Sequence, residues 1–516
     1  MNLFTRFLST FLLVSSAVFH VAVPASASDD VAEVVAGNTQ FAIDLYQQLL
    51  STSQDNLFMS PYSVSTALGM TYVGARENTA AQMADALHFT LPPEQFHPAM
   101  GELIGQINDP AREAYTLNVA NRFWGQQGYP FLPEFLGSIE NHYGAGLEEL
   151  NFIGAPEPSR QTINQWVEEQ TNNKIKNLLP QGTVTTDTRF VLTNAIYFLG
   201  DWEYPFDRDS TEQGLFHVAP QQSVTIPMMH QEAYFRYGEV DGVQVLELPY
   251  KEEELSFIAL LPEQIDGLAT LEAGLTPGRL DTYLDSLSLT NVNVTFPKFE
   301  MTSEFSLIET LGALGMTDAF NPSAADLSGV TGSRDLFINA VVHKAFIQLD
   351  EEGTEAAAAT GVGGSLTSVP PPPSIFRADH PFCFLIRDNL TDSILFLGRV
   401  VAPEASSFEQ ASASLPGDLN GDGLVGADDL DLVRAHWGQI VTAGDLTAGD
   451  PTGDGIVDGD DLDVIRAHWG ATSPAPTPEP GILVQVLLAG VLLSVLRRRK
   501  REICGTSRKK WAGRYR

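Results

Sequence analysis

Asp350-Glu351-Glu352-Gly353-Thr354-Glu355-Ala356-Ala357-Ala358-Ala359-Thr360 is the stretch on which the reading of this chain turns. By propensity alone its Glu and Ala residues favour a helix. Read with period two, Thr354, Ala356, Ala358 and Thr360 share one face, and all four are small or β-branched. A strand with such a face can slide between two strands of an existing sheet without displacing core side chains. Gly361 to Ser365 follow and keep the segment mobile, and Pro370-Pro371-Pro372-Pro373 then form a stiff polyproline stretch. The pattern describes an exposed loop, insertable on its N-terminal side and anchored on its C-terminal side.

Further motifs flank this loop. In Asn56-Leu57-Phe58-Met59-Ser60-Pro61-Tyr62-Ser63-Val64-Ser65, Ser60 is placed to cap a helix, with Pro61 at its first position. Thr193-Asn194-Ala195-Ile196-Tyr197-Phe198 with Trp202 reads as a central strand and its exit. Phe296-Pro297-Lys298-Phe299, Leu311-Gly312-Ala313-Leu314-Gly315-Met316, His343-Lys344-Ala345 and Phe376-Arg377-Ala378-Asp379-His380-Pro381-Phe382 follow in order. Together with the loop, these motifs resemble the serpin family over roughly 35–403.

The resemblance implies an α+β fold, with helices around three β-sheets and an exposed reactive-centre loop. It implies a protein with no catalytic residues, which traps serine proteases as a suicide substrate. The protease cleaves the loop and forms an acyl-enzyme. The hinge, Glu352, Gly353, Thr354, Glu355, Ala356, Ala357, Ala358, Ala359 and Thr360, then inserts into the central sheet and distorts the protease. Counting from Gly353 by the family's loop length places the scissile bond at Thr367-Ser368. Leu366-Thr367 stays open beside it, since Leu suits a chymotrypsin- or subtilisin-like pocket and Thr a smaller, elastase-like one. The prolines follow the bond and would stay out of the sheet, where each would remove a ladder hydrogen bond. Ser60, Ser63, Asn194 and His343 match the family's shutter, a buried polar cluster that controls sheet opening. The alternative is a non-inhibitory serpin fold used as a scaffold or adhesion module.

Enzyme signatures do not compete with this reading. The chain has no His-Glu-x-x-His, no phosphate-binding Gly-x-x-x-x-Gly-Lys and no Gly-x-Ser-x-Gly elbow. Asp379-His380 reads as structural, because adjacent side chains rarely face each other productively. Cys383, within Phe382-Cys383-Phe384-Leu385-Ile386, reads as a small buried residue.

The whole chain has 516 residues, room for two or three domains. Its 30 Lys and Arg against 65 Asp and Glu exclude nucleic acid as a natural partner. Two cysteines cannot form a disulfide scaffold. The charge is sorted along the chain: residues 497–516 hold ten basic residues and one Glu. An acidic body before a basic tail suggests sorting across a membrane.

Both ends read as addresses. Arg6, the apolar run Phe7 to Val23 and Ala25-Ser26-Ala27 form a signal-peptide pattern over 1–27. Pro478-Glu479-Pro480, the mostly apolar Gly481 to Leu496 and the block Arg497-Arg498-Arg499-Lys500-Arg501 resemble the Pro-Glu-Pro sorting tags of Gram-negative bacteria. Its sixteen-residue apolar run is slightly short of a full span of roughly 20. The basic tail, 497–516, would stay on the cytoplasmic side.

Between the serpin-like region, 28–404, and that tag lie a linker at 405–416, a repeat at 417–471 and a spacer at 472–480. Asp418 to Gly438 and Asp450 to Gly470 share fourteen of 21 aligned positions. Asp418, Asn420, Asp422 and Asp429 occupy calcium-loop positions 1, 3, 5 and 12, and Leu424 gives a carbonyl at 7. In the second repeat Asp450, Thr452, Asp454, Asp458 and Asp461 take positions 1, 3, 5, 9 and 12, with the Ile456 carbonyl at 7. Leu430, Val433 and Trp437, and likewise Leu462, Ile465 and Trp469, form stripes expected to pack two helices together. His436 and His468 read as helix-surface or packing residues, since no carboxylate or Cys lies at zinc spacing. The doubled loop-helix resembles a dockerin domain. That resemblance implies bound Ca2+ and a cohesin-type partner. The chain is therefore expected to be an exported, monomeric inhibitor of elastase-, chymotrypsin- or subtilisin-like proteases, extracellular or held at the surface by its C-terminal helix.

Overall fold

A computed structural model describes residues 29–112, 114–119, 121–354, 372–403, 417, 419, 425–441, 446–452 and 456–469. The chain divides after Ser406 into two units. The first opens with α1 (Asp29–Leu50), whose Asp29 and Asp30 favour the positive end of the helix dipole. Val31, Val34, Val35, Phe41, Ala42, Leu45, Tyr46 and Leu49 recur at helical spacing and are all buried. The second helix, α2 (Pro61–Tyr72), is different: all twelve of its residues are buried. It has no solvent face, so its start depends on a cap rather than on amphipathicity. Ser60 supplies the cap, its hydroxyl accepting the Ser63 N–H at 3.1 Å, with Pro61 at the first helical position. Such a cap contributes about 1 kcal/mol.

Three sheets are formed by the described residues. The largest runs in the order β1 (Leu57–Met59), β17 (Ile394–Val400), β16 (Phe382–Asp388), β10 (Leu255–Pro262), β9 (Val243–Pro249), β8 (Gln222–Val240), β11 (Ser288–Pro297) and β15 (Ser374–Arg377), with β7 (Glu212–Ala219) also on β8. The inner strands β10, β16 and β17 are near-continuous apolar runs, as strands covered on both faces require. The second sheet orders β12 (Phe299–Ser306), β13 (Val342–Leu349), β6 (Ala195–Asp201) and β14 (Gly353–Thr354), with β2 (Tyr115–Val119) also on β6. The third orders β4 (Leu147–Leu150), β3 (Arg122–Gln126) and β5 (Phe190–Thr193). Only residues 120–121 separate β2 from β3, and only Asn194 separates β5 from β6. The second and third sheets are thus two stretches of one ribbon, interrupted at Asn194. A main core extends from Val31 to Val400 and includes Phe58, Phe198, Phe257 and Phe384. A second cluster gathers Trp124, Ile163, Val167 and Tyr197.

The second unit carries short helices at Ala427–Ala435 and Gly459–His468. Leu419, Val425, Val433, Val457 and Ile465 form its core. Trp437 and Trp469 were expected to complete the packing stripes, but they are 52% and 55% exposed. Both lie beyond the last helical residue, so the helical spacing that carries Val433 and Ile465 inward no longer applies to them.

Candidate functional site

Strand β6 organises the site. On one edge β2 pairs along it, from Val119 against Ile196 to Tyr115 against Gly200. On the other edge β13 runs parallel but pairs only over Lys344–Phe346 with Ala195–Tyr197. Further along, Gly353 pairs with Asp201 and Thr354 with Gly200. Gly200 already uses one edge for Tyr115, so Thr354 must lie on the edge shared with β13. The two strands are therefore joined at one end and separated at the other, with the hinge residues Gly353 and Thr354 at the opening.

A tight turn aims the hinge there. The Asp350 N–H donates to the Gly353 carbonyl at 2.9 Å, and the Glu352 N–H donates to Asp350 Oδ1 at 3.0 Å. Trp202 clamps the turn from outside, its N–H donating to the Glu352 carbonyl at 2.8 Å and its indole Nε1–H to the Asp350 carbonyl at 3.0 Å. The Trp202 ring stacks on Tyr250 at 4.6 Å. Glu351 is buried and accepts from Lys298 Nζ at 2.9 Å and Thr211 Oγ1 at 2.7 Å. Burial pushes its carboxyl up, but the bonds from Lys298 and Thr211 outweigh burial and hold it below the ordinary glutamate value. Glu352 pairs with Arg208. Gly353 has φ +146°, and a Cβ there would stand 2.2 Å from the Gly200 carbonyl oxygen. Only glycine fits so close to β6 at that angle.

At the closed end of the gap the structure brings Ser60, Ser63, Asn194 and His343 into one buried cluster. The Ser60 N–H donates to His343 Nε2 at 2.9 Å. A backbone amide can only donate, so Nε2 carries the lone pair and the proton sits on Nδ1. His343 Nδ1–H then donates to Asn194 Oδ1 at 2.7 Å. Asn194 Nδ2 donates to Ser63 Oγ at 2.6 Å and to the Ser63 carbonyl, and reaches Asn121 Oδ1 at 3.1 Å. Ser60 Oγ also donates to the Leu395 carbonyl at 2.7 Å. Burial lowers the His343 pKa to about 3, so the neutral tautomer persists in mild acid. The cluster ties α2, β6, β13 and β17 together at the interruption of the ribbon.

The comparisons with known proteins agree with this geometry. The family model "Serpin (serine protease inhibitor)" matches residues 36–403. The chain belongs to the serpin family. Human leukocyte elastase inhibitor is 43% identical over 380 residues, covering 72% of this chain and all of that protein. Among solved structures, a serpin of the insect Tenebrio molitor, described as highly specific, aligns with a TM-score of 0.65 and 34% identity over 74% of this chain and all of its own. Uncleaved ovalbumin aligns with the same TM-score and 31% identity, covering 72% of this chain and 100% of its own.

Other candidate residues of the serpin unit fall as follows. Glu355 to Thr360 of the hinge and Leu366, Thr367 and Ser368 lie outside the described residues. Cys383 is fully buried, and its thiol is pushed up to about 12 by burial and then by Glu272. His380 does touch Asp379, with Nδ1 2.9 Å from Oδ1. Its Nε2 faces the Pro262 carbonyl at 2.6 Å, which ties the buried ring to β10. Lys298 and Asn121 were missed as site residues. Lys298 sits in a motif that the sequence did display, but its partner Glu351 is 53 positions away.

In the second unit, Asp418, Asn420, Asp422, Leu424 and Asp454 lie outside the described residues. Those described offer oxygen donors only, the type that a hard cation takes. Asp429, Asp450 and Asp461 are wholly buried. Thr452 Oγ1 lies 3.0 Å from Asp450 Oδ1 and 2.8 Å from Asp461 Oδ1, so loop positions 1, 3 and 12 converge. Each position-12 carboxylate is held by backbone: Asp429 Oδ2 accepts the Gly426 N–H at 2.7 Å and Asp461 Oδ2 the Asp458 N–H at 2.8 Å. Asp458 is half-buried, and Ile456 forms an antiparallel bridge with Ile440. Among the described residues no group of three or more His, Cys, Asp or Glu is arranged to hold a metal. His436 and His468 each face the carbonyl four residues back, that of Leu432 at 3.1 Å and of Val464 at 2.9 Å. Among the described residues no helix is long and apolar enough to cross a membrane, and 481–496 lies outside them.

Proposed function

We propose that this serpin inhibits serine proteases by trapping them, and that its hinge is the missing strand between β6 and β13 of an unfinished sheet. The opening between β6 and β13, with Gly353 and Thr354 already on β6, carries the reading. A serine protease attacks the carbonyl carbon of Thr367, with Leu366 as the alternative. Its seryl oxygen bonds to that carbon, and the amine of the following residue leaves. The hinge is then free of its C-terminal anchor. Inserted residues gain ladder hydrogen bonds to the facing edges of β6 and β13, and the small face of Thr354, Ala356, Ala358 and Thr360 passes over the core without clash. The cluster at Ser60, Ser63, Asn194 and His343 closes the far end of the gap and resists opening before cleavage.

A relative named as an inhibitor of leukocyte elastase supports an elastase-like target, as does Thr367. The two repeats, at 417–471, hold Ca2+ through Asp418, Asn420, Asp422, Asp429, Asp450, Thr452, Asp454, Asp458 and Asp461 and the carbonyls of Leu424 and Ile456. They dock the inhibitor to a partner module, and the ends of the chain direct export to the cell surface. The test is incubation of the chain with elastase, chymotrypsin and subtilisin. A denaturant-resistant complex, with a released fragment beginning at Ser368 or Thr367, is the expected result. Complete cleavage by all three without a complex would sink the trapping mechanism.

A further inference from the structure

The sheet that anchors the end of the loop has an outer face of unusual composition. Along β8 exposure alternates: Phe235 and Tyr237 point inward, while Glu232, Tyr234 and Arg236 point out. On β11, Val292 and Val294 are buried and Leu289 and Asn293 are exposed. On β15, Phe376 is buried and Ile375 is exposed. The registers place these outward residues on one face: Leu289 opposite Arg236, Asn291 opposite Tyr234, and Asn293 between Glu232 and Ile375. A solvated sheet face carries polar residues. Here Leu289 is 71% exposed, Ile375 66% and Tyr234 56%. Leu289 and Tyr234 are diagonal neighbours, close enough to form one apolar spot. Polar contacts rim it: Arg236 pairs with Glu247 at 3.4 Å, and Asn291 Nδ2 donates to Glu232 at 2.9 Å. Tyr204, Tyr234, Arg236, Leu287, Leu289 and Arg387 line a groove of about 760 Å³ beside it. An apolar centre with a polar rim and a recess is the anatomy of a protein-docking surface.

We infer that this face, centred on Tyr234 and Leu289, is a second contact for the target protease. The inference rests on the trapping reading above. Continuity with the loop selects the occupant. Ile375 lies on the strand that ends the loop, and Ser374 is seven Cα–Cα steps from Thr367, with six residues between them. That span is at most about 25 Å. A protease holding the loop at Thr367 is therefore tethered beside this face, and its rim is within reach of Leu289 and Tyr234. The loop supplies the bait, and the face selects among proteases that accept the same bait.

The experiment uses the full chain and whichever of elastase, chymotrypsin or subtilisin it traps. The double variant Tyr234→Ala, Leu289→Ser is compared with Leu215→Ser, an exposed leucine on β7 paired at Thr225, about 30 Å along β8. The association rate of the double variant should fall about tenfold, with the rate of Leu215→Ser unchanged. The number of inhibitor molecules consumed per protease should stay the same for all three, since the loop is intact. Equal association rates in all three proteins overturn the docking face and leave trapping untouched. A dimer of the unaltered chain that the double variant abolishes gives the face to a second copy and also overturns it. If the unaltered chain traps no protease, the trapping reading fails first and this inference with it.

Discussion

Lys298 and Glu351 meet 2.9 Å apart, and their contact fixes the turn from which the hinge departs. Glu351 is 5% and Lys298 17% exposed at the side chain, so neither charge is well solvated. Breaking such a pair leaves one buried charge without its counterion, at a cost of about 3 kcal/mol or more. Glu351→Lys places two cations together there. This variant should show a lower unfolding midpoint and a shorter half-life of inhibition at 37 °C, measured as residual protease-trapping after incubation. An unchanged half-life would show that the turn is held by its backbone bonds alone.

His343 makes stability depend on acid. Its folded-state pKa, lowered to about 3 by burial, lies below the unfolded value of 6.5. The unfolded chain therefore takes up a proton first as pH falls. This residue withdraws stability from about pH 6.5 down to about pH 3, by up to about 1.4 kcal/mol per pH unit. His97, lowered to about 4 by burial and then by His142, acts in the same direction. Denaturant unfolding of His343→Gln should show less loss between pH 6.5 and 4.5 than the unaltered chain. Parallel pH profiles would contradict the neutral, buried assignment.

The repeat unit offers a separate test. Two wholly buried aspartates, Asp450 and Asp461, converge on Thr452, and among the described residues the unit's core gathers five buried apolar side chains. The repeat region at 417–471 is short, and domains of that size are marginal and gain from a metal or another constraint. Adding Ca2+ should protect the unit from unfolding, and a chelator should release it. The fluorescence of Trp437 and Trp469 reports this if the other four tryptophans, Trp124, Trp166, Trp202 and Trp511, are replaced by Phe. Asp450→Ala should abolish the response. Identical unfolding with Ca2+ and chelator would remove calcium from the account.

Parts of this structure were legible in the sequence for identifiable reasons. The Ser60 cap and Pro61 were readable because capping is local, decided within four residues. The shutter residues came through resemblance: Ser60, Asn194 and His343 are far apart in the chain, and nothing in their spacing predicts that they meet. The Lys298–Glu351 pair stayed hidden for the same reason, in a chain where acids outnumber bases two to one. The Glu and Ala residues of 350–360 favour a helix by propensity, whereas period two reads the stretch as a strand; in the fold Gly353 and Thr354 are a two-residue strand on β6. Tertiary pairing overrides local preference there. The tryptophans of the repeats were misread because a helical stripe was extended past the point where each helix stops.

The central claim is that the sheet accepts the loop as a new strand, and the most direct test is heat. The full chain is cut once in the loop by a catalytic amount of a protease that it does not trap, and its unfolding is compared with that of the intact chain. Insertion adds about a dozen backbone hydrogen bonds, each contributing about 1 kcal/mol. A gain of that size corresponds to a rise of about 20 °C or more in the midpoint of the serpin unit. The account predicts that rise. A cut chain that unfolds at the temperature of the intact one would show that the gap between β6 and β13 does not take the hinge, and would contradict it.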